Sequence, residues 1–244
     1  MLHTGAPRCS QMGTLVLLSC VLILLGLSSA CAAGPPVTGA SLLTGTPCAP
    51  PCWEGITPGK SDEEQVLHVL SNSPFVRAGS IDSREVLERG GALTEIEWYG
   101  RGKAPSWVYL RDNLVLRNEV RLDQGPTLEQ IVEKYGPPEA VQAYLRFPPV
   151  YVVILDYPAR GFTLWSLNYP APFVDLYKRF LVDNHTGRIE KGLRVRYVIY
   201  YAPTSLPAAL RDVFLYNPGY AEKIASEVHP WRGFGPIPLS KAVR

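Results

Sequence analysis

The chain has 244 residues, of which 46% are hydrophobic and 10% aromatic, so it can bury the core of one domain or of two fused half-units. Of its 24 basic side chains only Arg8 lies in the first 30 residues, which leaves 23 basic against 22 acidic side chains in the remainder. This balance excludes strong attraction to a polyanion, so we expect no nucleic-acid partner.

The first 30 residues have the pattern of a signal peptide. Arg8 is followed by an apolar run from Leu15 to Leu27 and then by the small residues 28–30. About 13 apolar residues are too few for the roughly 20 that a membrane-spanning helix needs, so the pattern favours a removed segment over a permanent span. The sequence therefore predicts a signal peptide over 1–30 and a folded part outside the cytosol.

The end of this segment, Leu27-Ser-Ser-Ala-Cys31, resembles the lipobox of bacterial lipoproteins. In that motif the cysteine accepts a diacylglycerol group before the peptide is cut, and only a thiolate is nucleophilic enough for this transfer. Two or three acyl chains then hold a protein stably on a membrane, whereas one chain is marginal. The resemblance implies lipidation at Cys31 and anchoring to a cell membrane or outer envelope, and ordinary secretion is the alternative.

Two further cysteines follow in a segment with an unusual composition. Cys48 and Cys52 are separated by three residues, where a thioredoxin-type redox pair has two, and a close pair in an oxidising compartment predicts a local disulfide. Residues 31–52 are rich in Gly, Pro, Ser and Thr and contain no charge. We expect this segment to be a lipid-anchored spacer that holds the domain away from the membrane.

The first folded unit is expected over 53–123, as a helix followed by an antiparallel meander. Ser61 and Glu64 have the spacing of a capping box, and the apolar residues of a short helix follow. Alternation of apolar and polar residues then predicts strands that share one buried face. These strands are expected at 93–99, 106–111 and 114–122, with a tight turn at Asp112-Asn113.

The second unit, over 124–203, repeats this order. Thr127 and Gln130 have capping-box spacing, and Gly136-Pro137-Pro138 is typical of a helix end. Strands are expected at 140–146, 150–157, 162–167, 179–183 and 193–201. Helices are expected at 205–228 in the C-terminal tail, 204–244. A helix and a meander, twice over, indicate an α+β fold and not a parallel α/β fold.

The helix motif of the second unit carries a resemblance. The pattern Gly125-x-Thr127-x-x-x-Ile131-x-x-x-Tyr135-Gly136-x-Pro138 resembles the opening helix of the beta-lactamase-inhibitor-protein-like superfamily, which includes small outer-membrane-assembly lipoproteins. The resemblance implies two helix-plus-antiparallel-sheet units that form one curved sheet, with helices on one side and C-terminal helices added. The stretch from Pro51 to Gly59 is also similar to lipoproteins of Chloroflexi-type bacteria, which implies no activity.

Motifs for catalysis or for a cofactor are missing from the sequence. Gly55-Ile-Thr-Pro-Gly59-Lys60-Ser61 has three residues between its glycines, where a phosphate-binding loop has four. His68, His185 and His229 are isolated, so we expect no metal site and no cofactor. Catalytic triads are assembled in space, however, and leave no local motif. An envelope hydrolase or a small-ligand-binding protein is therefore the alternative interpretation.

Aromatic residues in the expected strands give the positive indication of function. They are Trp98, Trp107, Tyr109 and Trp165. Inhibitor-like members of the superfamily bind other proteins through an aromatic-rich sheet face, and Trp and Tyr are enriched at binding hot spots. The alternative is that these rings form the core beneath the helices. We expect a non-enzymatic binding or scaffold protein that recognises a protein or an envelope component through a sheet face.

Replacement of the proposed lipidation site tests the anchor. Cys31→Ser removes the thiol that would accept the lipid, so the variant protein should move from the membrane fraction to the soluble fraction. Cys20→Ser, within the apolar run, is the matched control and should leave the protein on membranes. Fractionation of cells followed by immunoblotting measures both, and membrane association of Cys31→Ser equal to that of the control would contradict the lipid anchor.

Overall fold

The computed structural model of the chain describes residues 35–88, 91–147, 150–168, 186–213 and 227–239. These residues belong to one compact unit, Gly34–Arg244. Cys31, the expected signal peptide, the expected strand at 179–183 and residues 214–226 of the expected C-terminal helices lie outside the described residues.

An antiparallel sheet of eight strands is the centre of the fold. The described strands are β1 (Asp82–Glu88), β2 (Gly91–Tyr99), β3 (Pro105–Arg111), β4 (Leu114–Arg121), β5 (Ala140–Phe147), β6 (Val150–Tyr157), β7 (Phe162–Asn168), β8 (Thr186–Ile189), β9 (Val195–Tyr201) and β10 (Gly235–Pro238). Their order in the large sheet is β1-β2-β3-β4-β9-β7-β6-β5, and β8 and β10 pair separately. This arrangement confirms the α+β class.

The two halves of the sheet join where β4 pairs with β9. Arg117 lies opposite Tyr201, and Arg121 lies opposite Tyr197. Beyond the strand ends, Leu122 N–H donates to the Arg196 carbonyl at 2.9 Å. One continuous hydrogen-bonded ladder therefore connects the strands of the first unit to those of the second.

Four described helices accompany the sheet: α1 (Ala40–Thr44), α2 (Glu63–Asn72), α3 (Leu128–Tyr135) and α4 (Leu206–Val213). Buried residues of α1, α2 and α3 form one apolar core with alternate residues of the strands. Its members include Leu42, Val66, Leu70, Leu128, Ile131, Ile96, Val108, Leu155 and Tyr200. Ala209 of α4 packs instead against Ile199 and Tyr201, which point to the opposite face because side chains alternate along a strand.

A side chain caps the N-terminus of both α2 and α3, and at α2 the capping residue differs from the predicted one. At α3, Thr127 Oγ1 accepts from Gln130 N–H at 3.3 Å and Gln130 Oε1 accepts from Thr127 N–H at 3.0 Å, which is the predicted capping box. At α2 the cap is Asp62, whose Oδ1 accepts from Gln65 N–H at 2.9 Å. Ser61 does not cap this helix because its Oγ accepts instead from Thr57 N–H at 3.0 Å, while its carbonyl accepts from Val115 N–H at 2.9 Å.

The segment expected to be a spacer is part of the core from residue 35 onward. Val37 and Leu42 are 3% and 0% exposed. Val37 N–H donates to Asp123 Oδ2 at 3.0 Å, and the Tyr135 hydroxyl donates to the Leu42 carbonyl. The predicted disulfide between Cys48 and Cys52 is present, with Cα atoms 5.7 Å apart. Over 37–52 the composition reflects turns between packed residues, so this part of the expected spacer belongs to the folded domain.

Truncation of Leu42 tests whether this segment stabilises the domain. Leu42→Ala removes a fully buried side chain, so the free energy of unfolding should fall by about 2–5 kcal/mol. Ala49→Ser changes an exposed position of the same segment and should have little effect. Urea denaturation of the two variants measures the difference. Equal stability of the two would show that the segment is a spacer after all.

Candidate functional site

α1, α2 and α3 all pack on one face of the sheet. We call the other face the outer face. Trp107 and Tyr109 of β3 point to it, because they alternate with Val108 and Leu110, which belong to the core beneath the helices. Trp165 also points to it, because it packs with Ile199 and Tyr201. Three of the four aromatic residues predicted for binding therefore share one face.

Trp98, the fourth predicted residue, lies on the core face. Its side chain is 0% exposed. The indole stacks on Trp53, with ring centroids 5.0 Å apart and an angle of 20° between the planes. A ring in this position cannot contact a partner, so the assignment of Trp98 to a binding site is wrong and its role is to fill the core.

Tyr109 faces outward and is nevertheless only 3% exposed. The guanidinium carbon of Arg117, its cross-strand neighbour, lies 4.1 Å from the centroid of the tyrosine ring. Arg117 Nη2 is 3.0 Å from Glu119 Oε1, and Arg117 itself is 1% exposed. Because the guanidinium covers the ring, Tyr109 has no surface left for contact with a partner. The assignment of Tyr109 to a binding site is therefore wrong.

Half-buried side chains on neighbouring strands form two rows across the outer face. We call the two rows together the outer band. In the first row Trp107 lies between Glu97 and Glu119 on the adjacent strands. The second row runs from Arg121 through Tyr197 to Trp165. The members of the outer band, with one further ring from β5, are Glu97, Trp107, Glu119, Arg121, Tyr197, Trp165 and Tyr144.

The second row is ordered by direct contacts. Arg121 Nη1 donates to Tyr197 Oη at 2.7 Å, and the guanidinium carbon lies 5.4 Å from the centroid of the same ring. Trp165 meets Tyr144 edge to face, with centroids 6.2 Å apart. Rings and an arginine fixed in this way present a polarised aromatic surface that can stack and hydrogen-bond.

A buried polar network lies beside the outer band on the same face. Asp156, 1% exposed, accepts hydrogen bonds from Gln142 Nε2 at 2.9 Å and Thr163 Oγ1 at 2.8 Å. Thr163 Oγ1 is in turn 3.0 Å from Tyr201 Oη. Burial raises the pKa of Asp156 to about 6, although the two hydrogen bonds lower it in part. The network links the four adjacent strands β5, β6, β7 and β9 on the outer face through their side chains.

Sequence reasoning missed this network and also a cleft of about 300 Å³ beside α1. The cleft is lined by Val37, Trp53, Phe75 and Glu54, among others. Burial raises the pKa of the Glu54 carboxyl. Glu54 is the only ionisable residue among the described residues of the lining, so the cleft supplies one acid and no second group for general acid–base catalysis.

The histidines do not assemble into a site within the described residues. His68 is exposed on α2, and His229 N–H donates to the Val141 carbonyl at 2.9 Å, while His185 lies outside the described residues. Over the described part of the chain, no group of three or more His, Cys, Asp or Glu is placed to hold a metal ion. None of the described helices is long and apolar enough to span a bilayer.

Comparison with known proteins gives no relative. No protein family, no curated protein and no solved structure matches the chain.

The stability of the protein should report the raised pKa of Asp156. Its folded-state pKa of about 6 lies above the ordinary 3.8, so the folded protein keeps a proton that the unfolded chain loses. The free energy of unfolding of the wild type, relative to Asp156→Asn, should therefore fall as pH rises from about 4 to about 6, and then stay constant.

Urea denaturation at a series of pH values measures this difference. Thr163→Val removes one of the hydrogen bonds that favour the carboxylate, so it should move the fall to higher pH. Parallel pH profiles of stability for the wild type and Asp156→Asn would contradict the assignment.

Proposed function

We propose that the chain is a lipid-anchored extracytoplasmic binding protein that recognises another protein through the outer band. The lipobox-like end at Cys31 supports the anchor, and the disulfide between Cys48 and Cys52 supports an oxidising compartment. The observation that carries the binding role is the outer band itself, in which Trp107 and Trp165 are half-buried and keep part of their surface open on one face of the sheet.

The composition of the outer band is that of a protein-binding surface. Trp, Tyr and Arg are the residue types most enriched at hot spots, and the band contains all three. Arg121 and Tyr197 are already held by their mutual hydrogen bond of 2.7 Å. Because ordered side chains lose little conformational entropy on association, contacts to them contribute more of their energy to affinity.

The charges of the outer band favour a protein over a charged polymer. Glu119 Oε1 lies 3.0 Å from Arg117 Nη2, and Glu97 Oε2 lies 3.8 Å from Arg84 Nη2. Both carboxylates therefore have cationic neighbours within the protein. A surface whose charges are compensated internally exerts little long-range attraction. Recognition then depends on aromatic contact and local hydrogen bonds, as in the centre of a protein interface.

The resemblance of the α3 motif supports the same proposal. Inhibitor-like members of that superfamily use an aromatic sheet face to bind proteins, and the outer band here also places aromatic residues, Trp107 and Trp165 among them, on one face of a sheet. Small-ligand binding in the cleft beside α1 is the alternative, and it would depend on Glu54 and not on the outer band.

Site-specific cross-linking in intact cells tests the proposal. A photo-reactive amino acid placed at position 107 or 165 should form a protein adduct of one defined mass, because these side chains would lie within the interface. The same amino acid at position 68, on the exposed side of α2, is the control and should give no such adduct.

A second set of variants separates binding from folding. With the cross-linker at position 197, Trp107→Ala should weaken formation of the adduct about thirtyfold, as expected of a hot-spot residue. Tyr109→Ala removes a buried ring and should lower the free energy of unfolding by about 3 kcal/mol, more than Trp107→Ala does. Equal adducts from positions 107 and 68, or an adduct unaffected by Trp107→Ala, would refute the proposal.

A further inference from the structure

The tether between the proposed lipid and the folded domain is short. Cys31 lies four residues before Pro35, the first described residue, and four residues span at most about 14 Å. Two residues later the backbone is fixed, because Val37 N–H donates to Asp123 Oδ2 at 3.0 Å and Asp123 N–H donates to the Val37 carbonyl at 2.8 Å. A lipid on Cys31 therefore keeps this part of the domain next to the bilayer.

Val37 lies at one end of the sheet, which we call the anchor end. It consists of the C-terminal ends of β2 and β4 and the N-terminal ends of β3 and β9. A Cβ atom on Gly100, in the turn after β2, would be 2.9 Å from Val37 Cγ2. The tether thus enters the domain directly beside the β2–β3 turn.

Basic side chains collect at the anchor end. Arg101 and Lys103 are exposed in the β2–β3 turn. Arg196 Nη1 donates to the Asp123 carbonyl at 3.5 Å, and Arg194 Nη1 donates to the Gly125 carbonyl at 3.0 Å. Apart from Arg121, which belongs to the outer band, the described basic residues at this end include Arg77, Arg101, Lys103, Arg194 and Arg196.

Fewer acidic groups oppose them. The Asp123 carboxylate is hydrogen-bonded to Val37 N–H. Glu97 and Asp82 lie opposite each other two residues inside the end of the sheet, and Glu97 is 3.8 Å from Arg84. Beside the start of β9, Glu129 Oε1 is 2.6 Å from Lys191 Nζ, and Glu190 adds one further carboxylate. Among the described residues the anchor end therefore has an excess of basic side chains, although the chain as a whole is nearly neutral.

The far end of the sheet has no such excess. The β3–β4 turn and the start of α2 meet there, since Asp62 forms a bridge with Leu114. Its described acidic residues, Asp62, Glu63, Glu64, Asp112 and Glu139, are offset by the basic residues Lys60, Arg111, Lys134 and Arg160. The near-zero net charge of the sequence thus conceals a basic excess at the end of the sheet that receives the tether.

We propose that the anchor end docks on the anionic phospholipid surface that holds the Cys31 lipid. This inference rests on the lipid anchor of the proposed function. The tether holds the basic residues at a distance from the headgroups that is comparable to the Debye length of about 10 Å. At that distance, salt only partly screens the attraction between the basic side chains and the anionic headgroups. Docking is then intramolecular and favoured by a high effective concentration. It fixes the strands to run away from the bilayer and leaves the outer band accessible from the side.

Vesicle binding without the lipid tests the surface itself. Residues 31–244 with Cys31→Ser should co-sediment with phosphatidylglycerol vesicles at low ionic strength, and not with phosphatidylcholine vesicles. Arg101→Glu with Lys103→Glu should lower the affinity for the anionic vesicles by at least about thirtyfold, at roughly fivefold for each basic residue lost. Lys60→Glu with Lys134→Glu makes the same change of charge away from the anchor end and should leave most of the binding.

The lipidated protein tests the orientation. A single thiol introduced as Lys103→Cys or Lys60→Cys carries a fluorophore, and the vesicles carry a quencher on their headgroups. Quenching should be strong at position 103 and weak at position 60, because only the first lies at the anchor end.

Equal quenching at the two positions would overturn the proposal, as would equal loss of vesicle binding in the two double variants or no binding of the Cys31→Ser chain. Failure of the lipid anchor would show differently. The wild type would then be washed from cell membranes at high ionic strength, while the unlipidated chain would still bind anionic vesicles at low ionic strength through Arg101 and Lys103.

Discussion

The pairing of β4 with β9 is the constraint on which the rest of the structure depends. It joins distant segments of the chain: Arg121 and Tyr197 lie opposite each other although they are 76 residues apart in the sequence, and their side chains share a hydrogen bond. A shift of this register by one residue would exchange the two faces of β9, and Tyr200 would leave the core. Both the core beneath the helices and the outer band therefore follow from one long-range ladder.

The two ends of this sheet differ, as its two faces do. The faces separate the core beneath α1, α2 and α3 from the outer band, and basic residues are in excess at the anchor end. In the two proposals these differences orient the domain on a membrane and give it a side for a partner. The segment from Val37 to Leu42 links these roles, because it fills the core and receives the proposed tether.

Local patterns predicted much of the fold. The capping box at Thr127 and the alternation in β3 gave element bounds within one or two residues of those observed, and the bounds expected for β6 and β7 were equally close. β1 was missed because its sequence, DSREVLE, is polar and lies at the edge of the sheet, where Leu87 is 85% exposed. Such a strand buries neither face and is held mainly by hydrogen bonds to β2, so it has no apolar period.

By itself the sequence determined what depends on near neighbours: the disulfide between Cys48 and Cys52, the cap of α3, and the fact that Trp107 and Tyr109 share a face. Only the tertiary structure decided which face the helices cover, and hence that Trp98 is core and Trp107 is not. It also placed Arg117 over Tyr109. The physical reason is that alternation along a strand fixes relative orientation, whereas burial is set by elements that arrive from distant parts of the chain.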